Sequence, residues 1–68
     1  MDIRLSLARN VKHHRTRLGW SQEALADEAD VHRTYVSQVE RGLRNPTIAI
    51  VARLAEALNV PPAALLEQ

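Results

Sequence analysis

The sequence predicts an all-α fold, a compact bundle of five short helices. Three observations carry that prediction. Ten Ala and nine Leu accompany only two Gly in 68 residues, no run alternates at period two, and apolar residues recur at helical spacing instead. The length permits one small domain, residues 1–68, near the lower limit for folding without staples. There is no Cys, so neither a disulfide nor a thiolate metal site supplements the core. Stability has to come from helix packing, with oligomerisation as the available aid.

The first helix is expected from about Asp2 to Arg17, with Ile3, Leu7 and Val11 at i, i+4, i+8 and Leu18 closing the core beyond it. Gly19 lets the chain leave that helix. Ser21 is a good N-cap for the second, whose acids Glu23, Asp27 and Glu28 partly favour its N-terminal half. Leu25, Ala26 and Ala29 give it a narrow packing face, and the small Ala26 lets another helix approach closely. The third helix should span about His32 to Arg41 and stop at Gly42. Val36 and Val39 are its apolar pair, while Arg33, Thr34, Ser37 and Gln38 fall on its other faces. Thr47 is the expected N-cap of a fourth helix carrying Ile48, Val51, Leu54, Ala55 and Leu58 on one side. Asn59 suits a left-handed C-terminus, and Pro61-Pro62 permits a short fifth helix.

The second and third helices, joined by a tight turn with only one face of the third apolar, read as a helix-turn-helix and hence as a DNA reader. Charge distribution agrees with that reading better than the net +1 does. Residues 1–20 carry five Lys/Arg and one Asp, residues 21–30 four acids and no Lys/Arg, and residues 31–46 three Arg and one Glu. A solvated surface with uneven charge explains the counts alone equally well; the motif favours the basic reading. One Trp, one Tyr and no Phe leave no stacking platform, which argues against readers of single strands or RNA. His13 and His14 are adjacent and point about 100° apart on a helix, so they form no metal site. No phosphate-cradling loop, nucleophile elbow or paired catalytic carboxylates occur, so an enzyme is disfavoured and no cofactor is expected. No apolar stretch approaches the roughly 20 residues that span a bilayer, and the N-terminus lacks the apolar core of a signal peptide.

The motifs S-Q-E-x-L-A at Ser21 to Ala26, V-x-R-T-Y-V-S-Q-V-E-R-G at Val31 to Gly42 and R-N-P-T at Arg44 to Thr47 resemble those of the lambda-repressor-like, Cro/C1-type (XRE) helix-turn-helix domains. The tail L-A-E-A-L-N-V from Leu54 to Val60 extends the match over essentially the whole chain. The R-T-Y opening of the third helix and the E-R-G-x-R-N-P turn look especially like controller proteins of restriction-modification systems. The resemblance implies a five-helix lambda-repressor-like bundle, a bacterial cytoplasmic location on the nucleoid, and transcription regulation. Two departures stand out. Asp30 replaces the Gly usual in the turn, so slight strain is expected, and Pro61 replaces a Ser or Asp cap, so the fifth helix should be poorly capped.

Arg33 is the leading base reader, because a guanidinium bonds guanine O6 and N7 bidentately; a phosphate contact or surface ion pair is the plainer role. Gln38, Thr34 and Ser37 are the other base-contact candidates. His32 stands where the family often has a capping Ser, so capping or a phosphate contact is favoured. Gln22 resembles the family residue that binds phosphate at a helix N-terminus. Arg41, Arg44 and Asn45, around the exit of the third helix, are backbone-contact candidates, and Tyr35 either bonds a phosphate or packs as a half-buried ring. Arg15 and Glu40 stand where related domains have a structural ion pair, and Trp20 is read as core or rim.

The expected partners are double-stranded DNA and a second copy of the chain, since one module offers few base contacts. Ile50, outside the core stripe, with Leu65 or Leu66, is the candidate dimer interface, although those leucines equally suit the monomer core. RNA polymerase becomes a partner if the protein activates. No membrane or small-molecule ligand is expected, since almost no sequence lies outside the DNA-binding unit. The competing reading is a protein-interaction module on the same scaffold, a small antitoxin or adaptor.

Overall fold

The computed structural model describes residues 2–68 as five helices: α1 (Ile3–Arg17), α2 (Gln22–Ala29), α3 (Arg33–Glu40), α4 (Ile48–Leu58) and α5 (Pro62–Leu66). Each boundary has a local cause. Asp2, Ser21, His32 and Thr47 cap the first four helices, their side chains accepting from the backbone N–H of Arg4, Ala24, Thr34 and Ile50. At α5 the expectation also holds: Pro61 precedes it with no side-chain cap bond. Asp30 (φ 55°) and Asn59 (φ 58°) close α2 and α4 in the left-handed conformation. The N–H of Val31 reaches back to the Ala26 carbonyl at 3.0 Å, and that of Val60 to the Ala55 carbonyl at 3.0 Å, satisfying carbonyls that the helix ends would leave open. Gly42 (φ 72°) supplies the left-handed conformation in which the chain leaves α3; a Cβ there would meet only the movable end of Leu5, whose Cδ2 would lie 3.0 Å away.

α2 packs on α3 and α4, α1 on α3 and α5, and α4 on α5. The core they enclose is built on Leu25, Leu54, Leu58, Leu65, Val11, Val36 and Val39, all under 2% exposed. Ala26, Ala29 and Ala55 line the close approach of α2 and α4 with side chains small enough to let the backbones meet. Trp20, Tyr35 and Ile50 are half-buried against this core. The buried face of α1 is wider than its leucine stripe, since Ser6 and Ala8 flank Leu7 inside it.

Four expectations are corrected. Ile3 and Ile48 are not core residues; they are 41% and 89% exposed. Both are the first residue of their helix, and because each Cα–Cβ bond tilts toward the helix N-terminus, their side chains project past the end of the bundle. Leu18 is 41% exposed because it caps α1 where the chain already turns toward Gly19. Leu65 is unavailable to a partner: it is fully buried in the monomer core, while its neighbour Leu66 stays exposed. The C-terminal end is fastened to α1 by Asn10 Nδ2, which donates to the carbonyls of Leu65 (3.0 Å) and Glu67 (2.6 Å), and by Arg9, whose Nη2 donates to the Glu67 carbonyl at 3.0 Å.

One turn further along α1, His14 Nδ1 is shielded from solvent without a hydrogen-bond partner among the described residues. Burial, then the charges of Arg17 and His13, hold its imidazole below the ordinary value of 6.5. The unfolded chain therefore takes up this proton at higher pH than the folded one, and the stability present above pH 6.5 is lost as pH falls below it. Urea titrations at pH 7.5 and 5.5 should show a loss at the lower pH that is smaller in His14→Gln. Leu65→Ala should cost about 2 to 5 kcal/mol in the same assay, and the cost should not depend on protein concentration, as an interface residue's would.

Candidate nucleic-acid interface

α3 is eight residues long, and its two faces differ sharply. Val36 and Val39 are 0% and 1% exposed, whereas Arg33 and Thr34 are open to solvent and Ser37 and Gln38 are half-exposed. The four residues expected to read bases therefore share the outward side. Arg33, Thr34 and Ser37 also line a cleft of about 180 Å³ together with Gln22 from the start of α2. His32 is placed as a cap: its Nδ1 accepts from the Thr34 N–H at 3.2 Å. Beyond the helix, Arg41, Arg44 and Asn45 are exposed, so three arginines lie along α3 and its exit.

An almost buried ion pair holds this helix to the rest of the molecule. Arg15 Nε and Nη2 donate to Glu40 Oε2 and Oε1 at 2.6 and 2.9 Å, a two-point contact from α1 to the last residue of α3. The side chains are 11% and 4% exposed. Arg15 Nη1 donates to the Trp20 carbonyl at 2.7 Å, and Glu40 Oε1 also accepts from Gln22 Nε2 at 3.2 Å. These bonds hold the Arg15 pKa above its already high ordinary value, the hydrogen bond to Glu40 being the main cause. All three guanidinium nitrogens and both carboxylate oxygens of the pair have a hydrogen-bond partner, which is the condition for a buried pair to be tolerated.

Gln22, the phosphate-contact candidate at the start of α2, also has a partner within the fold. One of its amide N–H groups is committed to Glu40, leaving the second N–H and the carbonyl oxygen for the cleft. Gln38 has a partner too: its Oε1 accepts from Arg44 Nε at 2.7 Å, and the Arg44 guanidinium lies 5.1 Å from the centroid of the Tyr35 ring. Tyr35 is thus a half-buried ring that carries Arg44, and Gln38 presents mainly its Nε2 donors outward. Neither arrangement has a signal in the sequence, since each joins side chains of separate elements through rotamers.

The family profile for helix-turn-helix domains matches residues 11–65, from the middle of α1 through most of α5. The chain belongs to this family. Its architecture is the lambda-repressor-like one implied by the motifs, and the family consists of transcription regulators, not enzymes. Control protein C.BamHI of Bacillus amyloliquefaciens is 42% identical over 67 residues, covering 97% of this chain and 83% of that protein. The restriction-modification controller protein C.AhdI from Aeromonas hydrophila has a similar crystal structure, with a TM-score of 0.88 and 37% identity over 91% of this chain and 94% of that one. SinR of Bacillus subtilis, solved in complex with DNA, has a TM-score of 0.85 and 32% identity over 90% and 98% of the two chains.

Glu40→Ala should leave Arg15 charged and unpaired in a nearly dry site and cost about 3 to 5 kcal/mol, most of what so small a core supplies. Chemical denaturation followed by circular dichroism measures it. The double replacement Arg15→Met with Glu40→Leu should recover much of that loss.

Proposed function

We propose that this chain is a sequence-specific, duplex-DNA-binding transcriptional regulator. The observation that carries the proposal is the two-sided character of α3, with Val36 and Val39 anchored in the core and Arg33, Thr34, Ser37 and Gln38 outward on a helix locked by Glu40. α3 enters the major groove, where Arg33 reads guanine and Thr34, Ser37 and Gln38 address neighbouring pairs. Gln22, His32, Tyr35, Arg41, Arg44 and Asn45 flank these residues and contact the sugar-phosphate backbone, which fixes register. The protein acts as a homodimer on a palindromic operator whose half-sites lie about 34 Å apart. Similarity to a control protein, a restriction-modification controller and a regulator solved with DNA supports this reading. On this reading the chain acts in the bacterial cytoplasm, on the nucleoid. Among the described residues no helix is long and apolar enough to cross a membrane.

Selection of bound sequences from a random duplex library at near-physiological salt tests the proposal. A palindromic motif is expected; salt-sensitive binding without enrichment would overturn it in favour of a protein-interaction module. On the selected site Arg33→Ala should cost about 1 to 3 kcal/mol and relax preference at one base pair. Arg44→Ala should weaken all sequences and reduce the salt slope by about one, and, because it releases Gln38 Oε1, any change of preference should be confined to the base pair that Gln38 addresses. Equal losses for both variants on cognate and scrambled DNA would remove the case for direct readout by Arg33.

A further inference from the structure

Gln38 and Arg44, on either side of the turn that ends α3, form one group. Gly42 in its left-handed conformation folds the chain back, so that its N–H donates to the Val39 carbonyl at 3.0 Å and that of Leu43 to the Gln38 carbonyl at 2.9 Å. Arg44 therefore follows directly on a residue clamped to Gln38. Its Nε donates to Gln38 Oε1 at 2.7 Å, and its guanidinium lies 5.1 Å from the centroid of the Tyr35 ring. Tyr35 stands three residues before Gln38, on the same side of α3, and packs against the core. A backbone clamp, a charge-assisted hydrogen bond and an anchored ring thus hold one side-chain geometry.

We infer that Arg44 is a positioning residue that sets the base preference of Gln38: with its oxygen held, Gln38 offers N–H donors to the groove, and the base it faces is guanine. The inference rests on the regulator proposed above and names the chemistry of one position in its operator. A free Gln amide reads adenine, its oxygen accepting from N6 while its nitrogen donates to N7. That reading needs both ends of the amide. The Arg44 Nε–H can only donate, so it fixes which way the amide points, with the oxygen toward Arg44 and the two N–H groups of Nε2 outward. In the major groove guanine presents two acceptors, N7 and O6, and thymine one, whereas adenine and cytosine each present an amine. The second lone pair of Oε1 does not restore adenine. An amine placed on it would lie beside a cationic guanidinium, donor against donor, while O6 of guanine meets both the Nε2 donors and that positive charge. Nor does a phosphate contact have to take Arg44 away. The bond to Gln38 uses one of the five N–H groups of the guanidinium, and the others remain for the DNA backbone.

Duplex selections with wild type, Gln38→Ala, Arg44→Ala and Arg41→Ala test this, with circular dichroism confirming that each variant keeps the helical spectrum. The pair at which Gln38→Ala abolishes preference is the one that Gln38 reads, and wild type should select guanine there. Arg44→Ala frees the amide to read adenine, so the ratio of guanine to adenine at that pair should fall by about tenfold or more. The rest of the motif should stay. Arg41→Ala removes an exposed charge from the same turn but not the bond to the Gln38 amide, so it should weaken binding and leave that ratio unchanged.

Any base other than guanine at that pair in wild type, or guanine retained in Arg44→Ala, overturns the inference and leaves the regulator standing. So does an Arg41→Ala shift as large as that of Arg44→Ala, or a wild-type motif in which Gln38→Ala flattens no position. If wild type enriches no sequence at all, the regulator falls and the inference with it. Should Gln38→Ala fail to fold, Gln38→Glu, which keeps an acceptor for Arg44, marks the same pair by a shift toward cytosine.

Discussion

The carboxylate of Glu40 is the point on which the arrangement of helices depends. It closes α3, and through Arg15 and Gln22 it ties that end to α1 and to the start of α2; the third Arg15 nitrogen, Nη1, adds the Trp20 carbonyl in the connecting loop. Desolvation of the two charges offsets much of their attraction, so the pair adds little net stability. Its consequence is orientational. α3 otherwise leans on two valines, which allow a short helix to slide or rotate; a two-point guanidinium-carboxylate contact has one geometry and fixes both.

Signals that act over a few residues were legible in the sequence. Ser21 and Thr47 cap helices because a short side-chain oxygen reaches the third N–H beyond it, a property that needs no knowledge of the fold. Asp30 in the left-handed turn and Asn59 at the end of α4 follow from which residues tolerate positive φ. The polar side of α3 follows from helical periodicity. The Arg15–Glu40 pair, 25 residues apart, was legible only through resemblance to related domains.

Other features were not legible, and their physical causes differ. Periodicity assigns a residue to a face but does not say where the core ends along the axis, so Ile3 and Ile48 counted as interior although each stands at the outermost turn of its helix. The same blindness put Leu18 inside. Leu65 and Leu66 are adjacent, and only the docking of α5 on α1 and α4 decides which is buried. The hydrogen bonds of Gln22 and Gln38 depend on where separate elements bring long side chains together, which no local pattern encodes.

These features imply a division of labour within α3. An isolated helix of eight residues is unstable in water, so α3 exists because Val36, Val39 and Glu40 are held by its neighbours. Arg33 and Thr34 take no part in that support, and their identities are free to change without cost to the fold. Gln38 is different, because its carbonyl oxygen is held by Arg44, which rests on Tyr35. In the proposed regulator, specificity at the N-terminal end of the reading helix is therefore set by single residues. At its C-terminal end it is set by a unit of three, in which a change at Gln38 alone leaves Arg44 without its acceptor. Evolution of a new operator preference should then proceed by point changes at Arg33 and Thr34 but by coordinated changes among Tyr35, Gln38 and Arg44. The constraint comes from the hydrogen bond and the ring beneath it, not from the core.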